Sequence, residues 1–144
     1  MPASRRTNLI IWSILGLFAL GVAWVGYDYL YAMHKYFTED QVCGDFDPVI
    51  RALADFQQDS GAPATNLTQL VPRYLPQLPT SSVADSVAYR VLPDGTNWQL
   101  SVYSRALKSP RVYVHRSSQV FTAEEERQEL TGFHGWVVFK ADKP

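Results

Sequence analysis

The sequence predicts an α+β protein in which a single N-terminal transmembrane helix precedes a small domain, a helix packed on an antiparallel β-meander of about four strands. Three observations predict this fold class. An uncharged apolar segment lies near the N-terminus, apolar residues follow it at helical spacing, and the spacing changes to every second residue in the C-terminal half. At 144 residues, the chain has room for one domain besides the apolar segment.

The apolar segment runs from Thr7 to Tyr27, which is 21 residues without a charge. At about 1.5 Å per residue, a helix of this length spans about 30 Å, the thickness of the hydrocarbon core of a bilayer. Residues 7–27 are therefore predicted to form a transmembrane helix, which we expect to extend to about residue 37. A cleaved signal peptide is the alternative, but its apolar region usually has only about 7 to 15 residues.

Charges on either side of this segment predict its orientation. Two arginines precede it, whereas Asp28 follows it and the next basic residue is Lys35. Because short positive flanks stay in the cytoplasm, residues 1–6 are expected to be cytoplasmic and the domain to lie on the other side of the membrane. The residues expected to anchor the helix at the membrane interfaces are Arg5, Arg6, Trp12, Trp24, Tyr27, Tyr29 and Tyr31.

Four small residues recur in the segment at spacings of three, four and three: Gly16, Ala19, Ala23 and Gly26. These spacings place them on one helix face, where small side chains let another helix approach closely. The face is a candidate helix-packing interface with other membrane-protein subunits. Glycine is also common in membrane helices in general, so ordinary composition stays open as the alternative.

Residues 38–46 are predicted to be a linker, and a second helix is predicted to begin at Pro48. Proline fits the first helical position because its missing N–H would have no partner there, and Asp47 before it can cap the helix. Gly61 can adopt the left-handed conformation that ends a helix. The extracytoplasmic α+β domain is therefore expected to comprise residues 47–144.

Beyond this helix, a short helical turn near Leu67 and Leu70 precedes a proline-rich extended segment. Apolar and polar residues then alternate in four stretches, and Pro93-Asp94-Gly95-Thr96 supplies a turn between the first two. Because Thr122 can cap the acidic run Glu124–Glu126, a short helix is expected between the last two strands. The predicted strands are residues 87–92, 98–104, 111–116 and 135–140.

Composition and motifs exclude several functions. Outside the two arginines before the apolar segment, the chain has 11 basic and 14 acidic residues, so no nucleic-acid partner is expected. Cys43 is the only cysteine, and His34, His115 and His134 are far apart in sequence, so no metal and no cofactor is predicted. Nucleophile motifs and phosphate-binding glycine loops are missing, so no catalytic residue is assigned and a non-enzymatic role is expected.

The stretch from Ile50 to about Ser104 resembles type II secretion pseudopilins and related type IV pilin-like proteins. The similarity rests on the helix end at Ala54–Gly61, then on Leu70-Val71-Pro72, Tyr74-Leu75 and Leu78-Pro79 ahead of the strands. The resemblance implies a small pilin-like domain in a bacterial protein. The membrane is then the inner (cytoplasmic) membrane, crossed once, and the domain is periplasmic.

The N-terminal sequence and the predicted helix break depart from that family. Pseudopilins carry a prepilin processing motif, a glycine before the cleavage site followed by a phenylalanine and a glutamate, and Arg6-Thr7-Asn8-Leu9 has none of these residues. Gly44 and Pro48 are also predicted to break the helix that pilins usually keep continuous.

The leading prediction is a non-enzymatic, membrane-anchored structural or accessory subunit of a larger membrane protein complex. Its expected partners are other membrane-protein subunits, reached through the transmembrane helix and the domain, and the lipid bilayer. One alternative is a minor pseudopilin-like component of a secretion or pilus machine. Another is a membrane-tethered periplasmic binding module or weak enzyme with a cleft near His115 or His134. Secretion, respiratory and photosynthetic complexes all stay open.

Overall fold

A computed structural model describes residues 3–141 of the chain, with side chains described from residue 10 onward. Within this range helix α1 runs without a break from Ala3 to Ser60. The elements that follow it are a 3-10 helix at Leu67–Leu70, strands β1 (Ser86–Val91), β2 (Trp98–Ser104) and β3 (Arg111–Arg116), helix α2 (Ala123–Gln128), and strands β4 (Glu129–Phe133) and β5 (Trp136–Lys140).

The chain forms two compact units, Met1–Tyr36 and Phe37–Pro144. We call the first the helical unit, because its described residues all belong to α1. The second, the globular unit, contains the rest of α1 and the sheet. Its boundary lies ten residues before the predicted start of the domain at residue 47.

The globular unit has one antiparallel sheet with the strand order β1-β2-β3-β5-β4. Strands β1 to β3 form a meander, β5 pairs with β3, and β4 is added outside β5. The α+β class and a helix packed on an antiparallel sheet are confirmed. The four predicted strands correspond to β1, β2, β3 and β5. Strand β4 was not predicted, and its position outside β5 means that the sheet is not the simple meander expected.

The core lies between the second half of α1 and one face of the sheet. Val42, Phe46, Val49 and Leu53 recur at spacings of four, three and four, so their side chains line one side of the helix, and each is at most 3% exposed. The sheet covers them with inward-facing residues, because every second residue of a strand points to the same side. These residues are Trp98, Leu100, Val102, Tyr113, Trp136 and Val138.

The predicted linker at residues 38–46 is wrong, because these residues are helical and α1 does not restart at Pro48. A proline inside a helix costs about 3 kcal/mol, since it removes the hydrogen bond to the carbonyl four residues earlier, which here belongs to Gly44. Both residues are exposed, so water can reach that carbonyl. Each large apolar side chain buried on either side of them contributes about 1.5 to 3 kcal/mol, and several such side chains outweigh the proline.

Several local predictions are confirmed. Gly61 has a left-handed backbone with φ of 74°, and its N–H donates to the Gln57 carbonyl at 2.9 Å, which ends α1. The Thr122 hydroxyl accepts from the backbone N–H of Glu125, whose side chain accepts in return from the Thr122 N–H. The helical turn near Leu70 is the 3-10 helix.

Candidate functional site

The predicted transmembrane segment lies in the helical unit, and its large side chains are exposed. Between residues 10 and 25 the bulky apolar side chains are 48% to 72% exposed, with Leu17 and Phe18 both at 71%. Among the described residues, α1 is the one helix long and apolar enough to cross a membrane. A helix that is apolar on all sides requires an apolar environment, which a bilayer or other protein surfaces supply.

The four predicted helix-packing residues lie on one side of this segment. At about 100° per residue, Gly16, Ala19, Ala23 and Gly26 fall within an arc of about 80°. A Cβ atom added at Gly16 or Gly26 would have no atom within 4 Å. The surface is therefore narrow and open at these two positions, as close helix packing requires.

The opposite side of the segment is bulky and was not singled out in the sequence. Leu17, Phe18, Trp24 and Val25 surround Gly21, and together they line a shallow groove of about 530 Å³. A Cβ at Gly21 would also meet nothing within 4 Å. The helix thus has a small-residue face and an opposite bulky face, each with at least one glycine.

The predicted interface anchors lie on the same helix. The side chains of Arg5 and Arg6 are outside the described part of the chain. The five aromatic anchors are exposed, which leaves them available for the anchoring predicted from the sequence. The exposed fractions are 72% for Trp12, 69% for Trp24, 64% for Tyr27, 63% for Tyr29 and 37% for Tyr31.

His115 lies on the helix-facing side of β3, between two tryptophans. Its ring stacks on Trp98 with centroids 5.7 Å apart and meets Trp136 edge-on at 5.5 Å. Burial lowers the pKa of His115, because the charged imidazolium is disfavoured away from water. Among the described residues no carboxylate bonds to this ring, and its Nε2 lies 3.3 Å from Gln119 Nε2. These are the contacts of a core residue.

His134 lies elsewhere, in the tight turn between β4 and β5. Its φ of 49° and the φ of 80° at Gly135 are typical of a two-residue hairpin turn. Its Nε2 is 3.7 Å from Asp40 Oδ1, and both side chains are more than half exposed, at 61% and 55%. Such a pair contributes little in water. In the described part of the chain, no three His, Cys, Asp or Glu side chains are grouped to hold a metal.

A polar cluster that the sequence did not predict lies on the sheet face opposite α1. Arg116 is 9% exposed and donates to the two Glu125 carboxylate oxygens at 2.5 and 3.0 Å and to Gln99 Oε1 at 2.9 Å. Its guanidinium also lies 4.6 Å from the centre of the Phe121 ring. Hydrogen bonding to Arg116 lowers the pKa of Glu125 to about 2. The cluster fastens α2 to the sheet.

The protein is therefore of the α+β class, with one long N-terminal helix, α1. The first half of α1 is long and apolar enough to cross a membrane. The second half of α1 packs in the core against a five-stranded antiparallel sheet. No protein-family model, curated protein or solved structure matches the chain. The candidate functional surface is the exposed apolar part of α1, between residues 10 and 25.

Proposed function

We propose that this protein is a non-enzymatic, membrane-anchored structural or accessory subunit of a larger membrane protein complex. The first half of α1 is its tether and its contact with neighbouring helices, and the globular unit lies on the periplasmic side of a bacterial inner membrane. One observation carries the proposal: in the part of the chain that the structure describes, the bulky side chains between residues 10 and 25 are 48% to 72% exposed.

The two faces of the helix support separate roles in this proposal. Bulky side chains on one face suit contact with lipid tails, which are as apolar as leucine. The small residues on the other face suit a neighbouring helix, since close backbone approach gains van der Waals contact. Charged and aromatic residues at the two ends then set the depth and the direction of the helix.

Membrane insertion and orientation are tested first. The full chain, expressed in a bacterium, is expected to stay in the membrane pellet after alkaline carbonate washing. Lys108 is exposed in the loop between β2 and β3, and the native Cys43 is buried. K108C is therefore expected to react with a membrane-impermeant maleimide once the outer membrane is permeabilised. Release by carbonate, or labelling only after lysis of the inner membrane, would contradict the proposal.

The helix-packing role is tested with a matched pair of variants. Gly16→Leu places a large side chain on the small-residue face, whereas Gly21→Leu makes the same change on the bulky face. Neither position has an atom within 4 Å of an added Cβ, so both chains are expected to fold. G16L is expected to lose most of the partner protein that co-purifies in mild detergent, and G21L to retain it. Equal retention, or an absence of any co-purifying partner, would remove the helix-packing role.

A pseudopilin-like component of a secretion or pilus machine is the second candidate. It is favoured by the continuity of α1 from Ala3 to Ser60, because the resemblance implies an unbroken helix and the break expected at Gly44 and Pro48 is absent. Mass spectrometry of the N-terminus of the mature protein separates the two candidates. A terminus at Met1 or Pro2 excludes a processed pilin, while a methylated terminus within the first ten residues favours one.

A further inference from the structure

The sheet face opposite α1 has a shallow groove beside helix α2, with a volume of about 270 Å³. We call it the outer groove. Three polar residues form one end of it and three apolar residues form the other. They are Arg90, Gln99 and Arg116 at the polar end, and Val112, Val114 and Phe139 at the apolar end. Sites for drug-sized ligands have volumes of about 300 to 1,000 Å³, so the outer groove suits a smaller molecule.

The polar end is a row of side chains across three strands. Arg90 pairs in register with Gln99, and Gln99 pairs with Arg116, so the three side chains lie side by side on one face. The Gln99 Oε1 atom accepts from Arg90 at 3.1 Å and from Arg116 at 2.9 Å. One neutral oxygen therefore holds two guanidinium groups close together, and two like charges at this separation repel each other.

Among the described residues, a carboxylate neutralises only one of these two guanidinium groups. Arg116 donates to both carboxylate oxygens of Glu125. Gln99 and Arg116 are 8% and 9% exposed, so this half of the polar end is closed to solvent. Arg90 is exposed, and within the described part of the chain it bonds to Gln99 alone. Its remaining N–H groups are available to a second carboxylate, in the way that Arg116 binds Glu125.

Ser101 supplies a second donor beside Arg90. The two side chains are bonded to opposite atoms of one amide, because Gln99 Oε1 accepts from Arg90 and Gln99 Nε2 donates to the Ser101 hydroxyl oxygen at 2.9 Å. In the part of the chain that the structure describes, the Ser101 hydroxyl proton has no acceptor. Arg90 and Ser101 can therefore donate to the two oxygens of one carboxylate.

The apolar end of the outer groove selects against a bare inorganic anion. Val112 pairs in register with Phe139, and the Val114 side chain, 6% exposed, lies between this pair and the polar row. A hydrocarbon group placed on these side chains is removed from water, which favours binding in proportion to the apolar area covered. The groove is thus suited to a ligand with a charged end and an apolar body.

We propose that the outer groove binds a small organic monocarboxylate, with its carboxylate on Arg90 and Ser101 and its hydrocarbon group on Val112, Val114 and Phe139. The proposal goes beyond the proposed function. All these residues belong to the globular unit, so the site does not depend on whether α1 crosses a membrane. Failure of either proposal leaves the other standing.

The probe is 4-methylpentanoate, titrated into the full ¹⁵N-labelled chain in an uncharged maltoside detergent and followed by NMR. We expect saturable shifts at Arg90 Nε–H and at the amides around the outer groove, with a dissociation constant of about 1 mM. Two control ligands separate the ends of the probe. Acetate lacks the hydrocarbon group and 4-methylpentanamide lacks the charge, and each is expected to bind at least about tenfold more weakly.

Arg90→Gln and Arg73→Gln are the matched variants, since each removes one positive charge from an exposed arginine. R90Q is expected to weaken 4-methylpentanoate binding by at least about tenfold, because it removes a charge-assisted hydrogen bond, whereas R73Q should bind like wild type. Arg90→Lys keeps the charge and should lose less affinity than R90Q. If R90Q does not fold, Ser101→Ala takes its place and is expected to weaken binding by about threefold.

Several results would overturn the proposal. One is equal binding by R90Q and R73Q, or by S101A and wild type if R90Q does not fold. Another is binding of 4-methylpentanamide as tight as that of the acid, which would indicate a purely apolar contact. A third is the absence of saturable shifts with 4-methylpentanoate. If a peptide with a free C-terminal leucine alone produced such shifts, the groove would belong to a partner protein and not to a small acid.

Discussion

The two halves of α1 belong to one continuous helix but differ in the burial of their large apolar side chains. In the helical unit, large side chains such as Leu20, at 69%, and Trp24, also at 69%, are exposed. In the globular unit, Val42 and Leu53 are fully buried at 0%. Among the described residues, large apolar side chains are therefore mostly exposed in one half of the helix and fully buried in the other.

This difference in burial determines which half of α1 stabilises the fold and which half is available to contact the surroundings. Buried apolar area in the second half is gained when the chain folds, so it contributes to the free energy of unfolding. Apolar area in the first half stays exposed after folding, so it contributes only when a bilayer or another protein covers it. Substitutions that are alike in chemistry should therefore have different consequences in the two halves.

The largest expected effect comes from Leu53→Ala compared with Leu20→Ala. Removing a fully buried leucine is expected to lower the free energy of unfolding of the globular unit by about 2 to 5 kcal/mol, because it loses burial and leaves a cavity. L20A removes the same atoms from an exposed position and is expected to leave that free energy within about 0.5 kcal/mol of wild type. Chemical unfolding in detergent, followed by near-UV circular dichroism, measures both. Equal losses of stability in L53A and L20A would show that both halves of α1 contribute to the stability of the globular unit.

Pro48→Ala tests whether burial overrides the proline in the second half. Alanine restores the N–H that can donate to the Gly44 carbonyl, and we expect the globular unit to gain about 1 to 3 kcal/mol. The gain is measured by the same unfolding experiment. A loss of stability would mean that the proline ring makes favourable contacts. It would then be wrong that apolar burial outweighs a destabilising proline in this helix.

The wrong linker shows how local signals mislead. Gly44 and Pro48 are a strong local reason to end a helix. The competing signal was present in the sequence, since Val42, Phe46, Val49 and Leu53 follow one 3.6-residue period across the supposed break. That stripe is buried by a sheet that begins more than thirty residues later, at Ser86, so its contribution against the proline could not be judged from the local sequence.

The sheet and the polar cluster around Arg116 also contain features that local sequence predicts and features that it does not. Alternation predicted the strands with clear apolar faces, whereas β4, an edge strand with Glu129 and Gly132, has no such face. The spacing of the four small helix residues predicted a shared face, since helix geometry is local. The bonds from Arg116 to Glu125 and Gln99 join three separate elements, and sequence spacing carries no information about them.

Glu125→Gln tests how much the ionised Glu125 side chain, on the sheet face opposite α1, contributes to the stability of the globular unit. The pKa of Glu125 is lowered from 4.5 to about 2, so its contribution is present above about pH 4.5 and is lost as the pH falls through about 2. Allowing for screening by solvent, we expect wild type to lose about 1 to 2 kcal/mol more than E125Q between pH 6 and pH 2.

Because other carboxylates titrate in both proteins, the difference between the two acid profiles isolates Glu125. Unfolding measured at several pH values gives this difference directly. Parallel profiles for wild type and E125Q would show that ionisation of Glu125 adds no stability to the globular unit.

Gly44→Ala is the smallest expected effect and compares the two halves at a single residue type. Gly44 is helical and exposed, and an added Cβ would have no atom within 4 Å, so alanine removes only the entropy cost of glycine. We expect the globular unit to gain about 0.5 to 1 kcal/mol, measured by chemical unfolding.

The matched control is Gly26→Ala in the helical unit, where an added Cβ also has no atom within 4 Å. It should leave the unfolding of the globular unit unchanged, because the exposed half does not take part in that transition. A gain from G26A equal to that from G44A would mean that the two halves of α1 unfold together.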